Sequence, residues 1–459
     1  MYQNIFKKYL FPFYENRVCR RQTPAYMQEY FGNLHRSTEE LEAVQLTKLR
    51  RLLCHAYISC SYYRQQWDKL HFDPNSLSDI KDLERLPVID KQTITENYSG
   101  FIANGYGVDN IKKSTGGSSG VPFSFELDQE SNQRRQAIMW RGYGWLGAGL
   151  GVKALYVWGA NIQPTGLKSA FKERMYHAFY NRKMLNSFNL NESNIMEYLE
   201  EFSRYKPDVV VGYVGPLVAL ADYVLTHGIK VRSPKSILTG AEPLYEFQRE
   251  KIEKAFSAPV YNTYGCREFM LIGAECKNKK GLHLNIDHLV VEVVGEKNSN
   301  EDSTNEESAI SSQSGQLVIT DLHNYGFPLI RYANGDKATL GNQVNCDCGS
   351  PLPLMQSVDG RKLDVIRTPG GRILSGEFFP HLLKDFKQIK QFQVIQNVSN
   401  EIEIKLVLNS AETGNDAEID KIQQLIQKSV GHEVMVNILI VGKIDLTISG
   451  KLRVVISNI

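Results

Sequence analysis

The chain has no apolar run approaching the roughly 18 residues that a membrane-spanning helix needs, and that excludes an α-helical membrane protein. It lacks an excess of either charge: 53 Lys and Arg stand against 51 Asp and Glu, for a net +2. A nucleic-acid binder would show a clustered basic excess. It is also poor in cysteine. The seven that exist, Cys19, Cys54, Cys60, Cys266, Cys276, Cys346 and Cys348, are odd in number and thinly spread. That argues against a disulfide framework and for buried thiols or metal ligands. The first residues, Met1 to Pro24, mix basic residues with Phe6, Tyr9, Leu10, Phe11, Phe13 and Tyr14. They lack the continuous apolar stretch and small-residue cleavage site of a signal peptide. The expected location is the cytoplasm. Residues 1–24 are expected to pack on the main body, with weak peripheral membrane contact as a secondary reading.

What is present is a long chain of 459 residues, too long for one ordinary core, and two or three domains are expected. Hydrophobic residues at 42% and charged residues at 23% fit a soluble globular enzyme. The chain is organised around Ser114-Thr-Gly-Gly-Ser-Ser-Gly-Val-Pro122. Glycines let the backbone bend tightly and turn its N–H groups toward an anion. The hydroxyls of Ser114, Thr115, Ser118 and Ser119 add donors. Phe123 to Leu127 then alternates like a strand, so the loop does not open a helix. The Walker loop ends in Gly-Lys-Ser/Thr, and no such lysine stands here. A phosphate-cradling loop of another type and a plain surface turn are the two readings.

Residues 25–95 read as mostly helical, with Leu46, Leu49, Leu53, Ala56 and Cys60 at helical steps. Further helices are expected at Lys91–Glu96, Gln129–Leu146, Phe171–Tyr180, Ile195–Tyr205, Leu217–Thr226 and Tyr245–Ala255, with Gly228 as a C-cap. Strands are expected at Ala154–Trp158, Val209–Gly212, Ser236–Gly240 and Val260–Tyr264. The alternation indicates an α/β architecture with mixed, largely parallel sheets flanked by helices, whose ligands sit at the carboxyl ends of strands. Leu289–Val294 and Gly315–Thr320 look like a β pair around a polar insertion, 296–314. The last hundred residues form a small, mobile α+β domain. The expected division is 1–95, an N-terminal helical region; 96–360, the large binding domain; and 361–459, a C-terminal lid.

Five later stretches carry chemistry. Leu238-Thr-Gly-Ala-Glu-Pro243 ends a strand with small residues that let a flat ring approach. In Tyr261-Asn-Thr-Tyr-Gly-Cys-Arg-Glu268, Tyr264 can stack on a base, Thr263 can donate to a phosphate and Glu268 can hold Mg²⁺. In Pro328-Leu-Ile-Arg-Tyr-Ala-Asn-Gly-Asp336, an aspartate at a strand's end suits a ribose diol. Asp359-Gly-Arg-Lys-Leu-Asp364 offers Arg361 for phosphate or ribose and an acid at a turn. Ser449-Gly-Lys-Leu-Arg453 puts Lys451 on a loop before a strand. Each has a bland alternative: a turn, a half-buried packing residue or a solvated side chain.

Taken in order, these motifs resemble the adenylate-forming superfamily, and within it the phenylacetate–CoA ligase family with its capsular-polysaccharide-associated CapK-like branch. The resemblance covers nearly the whole chain and includes Leu86-Pro-Val-Ile-Asp-Lys91. It implies that ATP and a carboxylic acid give an acyl-adenylate and pyrophosphate, after which a thiol, usually of CoA, displaces AMP. It implies that Ser114, Thr115, Gly116, Gly117, Ser118, Ser119 and Gly120 hold the departing phosphates. Gly240, Ala241 and Glu242 would line the adenine pocket, with Tyr264 against the ring. Thr263 would touch the α-phosphate, Glu268 the Mg²⁺, and Asp336 the ribose, with Arg361 nearby. Asp364 matches the hinge and Lys451 the lysine that contacts acid and phosphate during adenylation. One departure is that Pro122 is followed by Phe123, where many members carry lysine, which leaves the loop without a basic partner.

Trp140, Tyr143, Trp145, Trp158, Tyr213 and Val214 are candidate walls of the acid pocket, with core packing as the alternative. Cys276, His283, Cys346 and Cys348 would complete a structural tetrahedral Zn²⁺ site; free thiols and a turn histidine are the alternative. The acceptor is left open between CoA and, for the CapK-like alternative in polysaccharide biosynthesis, an amine, a hydroxyl or a carrier thiol. The partners expected are the acid, ATP and CoA, no nucleic acid, and a homodimer as an open alternative.

Overall fold

The computed structural model describes residues 2–115, 123–158, 167–187, 190, 194–295, 314–341, 346–361, 366–370, 373–374, 378–383, 386, 388–408, 416–445 and 454–459. The chain divides into two compact units. The larger holds Met1–Leu244, Lys251–Asn334 and Ala338–Val358; the smaller holds Tyr245–Glu250, Gly335–Lys337 and Asp359–Ile459.

A two-stranded antiparallel hairpin, β1 (Ile111–Thr115) and β2 (Phe123–Leu127), pairs Ile111 with Leu127 at one end and Thr115 with Phe123 at the other. The strands that follow are β3 (Ala154–Trp158), β4 (Arg182–Asn186), β5 (Val209–Tyr213), β6 (Ser236–Gly240) and β7 (Val260–Tyr264). Then come β8 (Gly273–Ala274), β9 (Leu282–Leu284), β10 (Leu289–Val294), β11 (Ser314–Asp321), β12 (Tyr332–Leu340) and β13 (Leu354–Arg361). From β3 on, they form one eleven-stranded sheet in the order β10-β11-β12-β13-β9-β8-β7-β6-β5-β3-β4. Its β7-β6-β5-β3-β4 half is parallel, and β7-β8-β9-β13 and β10-β11 run antiparallel. The sheet is therefore more evenly mixed than the alternation of strands and helices implies.

The parallel half reads as unbroken apolar runs because both faces are covered. All five residues of β5, Val-Val-Val-Gly-Tyr, are buried, as are all five of β6. Val210, Ile237 and Val260 pack with Leu199, Phe202, Leu220 and Phe256 from three helices, Ile195–Tyr205, Val214–His227 and Glu246–Phe256. Gly228 ends the second of these with φ 62°, as its place after the last apolar residue predicts. The polar edge strand β4, Arg-Lys-Met-Leu-Asn, has no such run and gives no strand signal.

The N-terminal helices cover the antiparallel half. Helix Thr38–Ser59 starts at a capping box, with Ser37 and Glu40 each accepting the other's backbone N–H. It buries Leu41, Leu49, Leu52 and Leu53 in a core shared with Leu289, Leu317 and Ile319. A buried ion pair locks this layer to helix Gln129–Trp145. Arg141 donates to both carboxylate oxygens of Asp287 (2.7 and 2.8 Å), and Asn33 Nδ2 donates to Asp287 Oδ2 at 2.8 Å.

The smaller unit has its own sheet, β16 (Ile389–Val398), β17 (Glu401–Leu408), β18 (Met435–Ile440) and β19 (Val455–Ser457), in the order β18-β17-β16-β19. A short pair, β14 (Ile366–Arg367) with β15 (Ile373–Leu374), precedes it. Helix Asp416–Val430 buries Ile422, Ile426 and Val430 against Ile402, Ile404 and Leu406 of β17.

Candidate active site

Four parallel strands end side by side. β3 ends on Trp158, β5 on Tyr213, β6 on Gly240 and β7 on Tyr264, with Tyr213 in register with Gly240. The Trp158 and Tyr213 rings lie 4.4 Å apart. At Gly240 an added Cβ would come within 3.0 Å of Thr263 Oγ1 and 3.7 Å of Trp158, so the glycine keeps the backbone open to its neighbours. Thr263 Oγ1 donates to the Thr239 carbonyl at 2.7 Å, and the buried Tyr143 hydroxyl is hydrogen-bonded to Thr263. Of the candidate wall residues, Tyr143, Trp158, Tyr213 and Val214 thus gather at the strand ends. Trp140 instead stacks on Tyr180 and Trp145 faces His283.

Ala241 turns the chain with φ +67°, a left-handed conformation that costs a non-glycine residue. The turn aims Glu242 at the start of helix Val214–His227, where Glu242 Oε2 accepts the Gly215 N–H at 2.6 Å. A carboxylate suits the positive end of a helix. Burial pushes the Tyr213 hydroxyl up to about 12, with the Glu242 carboxylate adding to the shift and Arg267 opposing it. Glu242 therefore anchors the wall of the expected ring pocket.

The turn after β7 requires glycine. A Cβ on Gly265 would sit 1.7 Å from the Met270 carbonyl oxygen. This fold-back buries Glu268, which is 4% exposed. Tyr332 Oη donates to Glu268 Oε1 at 3.0 Å, and Asn334 Nδ2 donates to Tyr264 Oη at 2.8 Å. Tyr332 and Asn334 are two apart on β12 and so share one face, and one strand positions both candidate residues. Asp336 lies inside β12, which runs on to Leu340, and not at a strand's end as the sequence suggests. The strand passes through Gly335, whose φ is +89°.

Three basic residues from different elements lie near one another at the end of β1. Lys113 lies on β1, one residue before Ser114. Arg135, on helix Gln129–Trp145, is 4% exposed; its Nη2 donates to the Arg267 carbonyl, and its Nη1 is buried with no hydrogen-bond partner among the described residues. Burial lowers the Lys113 pKa, and the Arg135 and Arg267 charges lower it further. Burial likewise lowers the Arg135 pKa, against the pull of Asp321 and Glu268. Burial raises Asp321 to about 6 in spite of Arg135. A buried Arg135, a half-buried Lys113 and an exposed Arg267 thus lie close enough for each charge to act on the others. The signal for Arg135 was a charge on a buried helical stripe with Ser131, Ile138 and Gly142.

Ser114 and Thr115 end β1, and the backbone of Arg361 ends β13. The side chains of these three, with Gly116, Gly117, Ser118, Ser119, Gly120, Asp364 and Lys451, lie outside the described residues.

A second constellation is separate from the strand ends. The ligand atoms of Cys276, His283, Cys346 and Cys348 all lie within 4.8 Å of one another. Cys276 and Cys346 sulfurs are 3.6 Å apart, and Cys348 Sγ is 3.3 Å from His283 Nε2. A tetrahedral zinc site has ligand separations of about 3.5–3.8 Å. His283 Nδ1 is 2.8 Å from the Leu352 carbonyl, which fixes the tautomer and leaves the Nε2 lone pair facing the thiols. Backbone N–H groups of Asn278 and Ser350 point at the Cys276 and Cys348 sulfurs, 3.4 Å each, a pattern that suits thiolates. The four donors fit zinc.

Residues 366–458 match the model of the CapK C-terminal domain. The chain is 24% identical to Protein CapK of Staphylococcus aureus over 95% of its length and 93% of that protein's. It is also 24% identical to a phenylacetate-coenzyme A ligase of Thermus thermophilus, covering 90% of this chain and 96% of the relative. Among solved structures, 2-hydroxyisobutyryl-CoA ligase in its postadenylation state aligns with a TM-score of 0.70 at 18% identity, over 93% of this chain and 91% of that one. The fold is that of the adenylate-forming CoA ligases. No helix among the described residues is long and apolar enough to cross a membrane.

Proposed function

We propose that this homologue of CapK and of the phenylacetate-coenzyme A ligases is an ATP-dependent ligase that joins a carboxylic acid to a thiol through an acyl-adenylate. The observation that carries the reading is the cation cluster of Lys113, Arg135 and Arg267, beside Glu268 and at the root of the glycine-rich loop. A carboxylate oxygen attacks the α-phosphorus of ATP, the bond from that phosphorus to the bridging oxygen breaks, and pyrophosphate leaves. The cluster stabilises the charge that gathers on the departing phosphates. The thiolate sulfur then attacks the acyl carbon, and AMP leaves with one oxygen of the original acid.

Gly240 and Ala241 are proposed as the floor of the adenine site, Tyr264 as its stacking ring, and Asp336 and Arg361 as its ribose and phosphate partners. Ser114 to Gly120 are assigned to the phosphates. Thr263 is proposed to turn its hydroxyl from Thr239 to the α-phosphate when nucleotide binds. Glu268 fits Mg²⁺: it is a buried carboxylate whose second oxygen takes no hydrogen bond among the described residues. When bound, Mg²⁺ supplies charge neutralisation on the phosphates. Lys451 is assigned to acid and phosphate during adenylation, and Asp364 to a hinge between the two half-reactions. Cys276, His283, Cys346 and Cys348 are proposed to hold a structural zinc ion, which uses all four positions. We assign the reaction to the cytoplasm, where ATP and CoA are available.

The CapK-domain match supports a second reading of the acceptor, in which an amine, a hydroxyl or a carrier thiol takes the acyl group in polysaccharide biosynthesis. The test is pyrophosphate release from ATP across a panel of carboxylic acids, with and without CoA. Acid-dependent release that CoA accelerates supports the thioester. Acid-dependent release indifferent to CoA moves the acceptor to the second reading. No release with any acid overturns adenylation.

A further inference from the structure

Residues 2–18 are helical throughout, alternating α-turns (Tyr2–Ile5, Phe11–Phe13) with π-turns (Phe6–Leu10, Tyr14–Val18). One side is packed: Phe6 and Phe11 are fully or nearly fully buried, as is Glu15, which accepts from Thr23 Oγ1 at 2.8 Å. A surface helix ordinarily turns polar residues to the other side. Here that side carries Ile5, Tyr9 and Phe13 at steps of four, exposed by 39, 58 and 64%.

A second element extends the same surface. Helix Leu167–Phe179 is docked on the first run by its C-terminal end. Phe179 lies 5.0 Å from the Phe6 ring and 4.9 Å from the Tyr14 ring, and its carbonyl accepts from Tyr2 Oη at 2.6 Å. Met175 and Phe171 are one and two turns before Phe179 on the same stripe, and are 55 and 67% exposed. The apolar surface therefore continues from one helix to the other, beyond the scattered apolar residues of an ordinary surface.

The charges around it are of one sign. Residues 2–21 contain five basic residues and one acidic, and residues 167–179 contain three and one. Those two segments carry +6 between them, so the rest of a chain with net +2 carries −4. Lys7, Lys8, Arg17, Lys172 and Arg174 are all exposed beside the apolar stripe.

We propose that this face docks on an anionic lipid surface, with Ile5, Tyr9, Phe13, Phe171 and Met175 seated at the level of the headgroups and the basic side chains on the phosphates. Aromatic and aliphatic side chains framed by lysine and arginine are the composition of interfacial helices. A second copy of this chain would set +6 against +6. A nucleic acid would use the charge and leave the apolar stripe in water. The inference stands apart from the adenylation reading, since its readout is binding and not turnover.

The test is flotation of the full chain with vesicles of phosphatidylcholine alone and with about one third phosphatidylglycerol. The result expected is binding to the anionic vesicles only, weakened by salt. Lys7→Glu with Lys8→Glu lowers the partition coefficient about tenfold or more, and Phe13→Ser with Phe171→Ser lowers it by a similar factor. These side chains point outward, so circular dichroism and melting temperature stay as in the wild type. Absence of binding to anionic vesicles overturns the proposal, as does binding that both double variants retain. So does a dimer that the Phe13→Ser, Phe171→Ser variant splits, in a protein that ignores vesicles.

Discussion

Arg135 is a cation on a buried helical stripe, where burial disfavours its charge and one of its nitrogens has no hydrogen-bond partner among the described residues. Such a group is costly unless a ligand completes it. Arg135→Met is expected to lower kcat/KM for ATP about 10- to 100-fold, the worth of one or two charge-assisted hydrogen bonds. The KM for the acid should hold. Steady-state kinetics with each substrate varied in turn checks this, and a loss confined to the acid would contradict the assignment. Arg141 is buried with its counter-charge in place: it pairs with Asp287 through two hydrogen bonds, and Asn33 donates to the same carboxylate. Asp287→Ala leaves the guanidinium buried and unpaired. It is expected to cost about 3–5 kcal/mol in urea unfolding, a magnitude typical of breaking such pairs. At Gly265 any Cβ meets the Met270 carbonyl. The motif around Tyr264 and Glu268 thus depends on a residue with no functional group.

At the scale of elements, the cluster of Cys276, His283, Cys346 and Cys348 ties the segment around β9 to the loop before β13. Cys346→Ser is expected to lower metal content and melting temperature together; equal metal in both proteins, measured by atomic absorption, would contradict the site. The two N-terminal helices are held through a histidine pair. His288 and His323 stack at 5.3 Å, Tyr30 Oη lies 2.9 Å from His288 Nδ1, and Lys48 Nζ is 3.3 Å from His323 Nε2, which must accept from it. Burial holds both imidazoles well below their ordinary range, and the Lys48 ammonium adds to the shift. Asp287 opposes it at His288, with Arg134 reinforcing it at both. The unfolded chain therefore binds more protons below about pH 6.5. The stability these neutral rings confer is present above that pH and is lost as pH falls through it. Thermal unfolding from pH 7.5 to 5.5 should show a falling midpoint, with a shallower fall in His323→Gln.

Elements with a period or an unbroken apolar run were legible in the sequence. Ile195–Tyr205, β3, β6, β7 and β10 fall at their expected bounds, because burial on one face or both dictates composition. β4 and β1 were missed: both are polar, and long-range pairing makes them strands. The site was legible as motifs and not as geometry. Tyr264 and Glu268 were visible, but the contacts of Tyr332 and Asn334, which hold them from β12, were not. Lys113 and Arg135 were invisible as a pair because 22 positions and two elements separate them.

For the whole molecule, the large sheet gathers four strand ends, while residues 366–458, in the smaller unit, match the CapK C-terminal domain. The central claim is that the acid is activated as an adenylate, and oxygen transfer reads it most directly. The active acid is prepared with ¹⁸O in its carboxylate, incubated with ATP and the acceptor, and the AMP is analysed by mass spectrometry. The account predicts AMP carrying one ¹⁸O per turnover, with pyrophosphate unlabelled. Label in inorganic phosphate, with ADP as the nucleotide product, would mean attack at the γ-phosphorus and would contradict it.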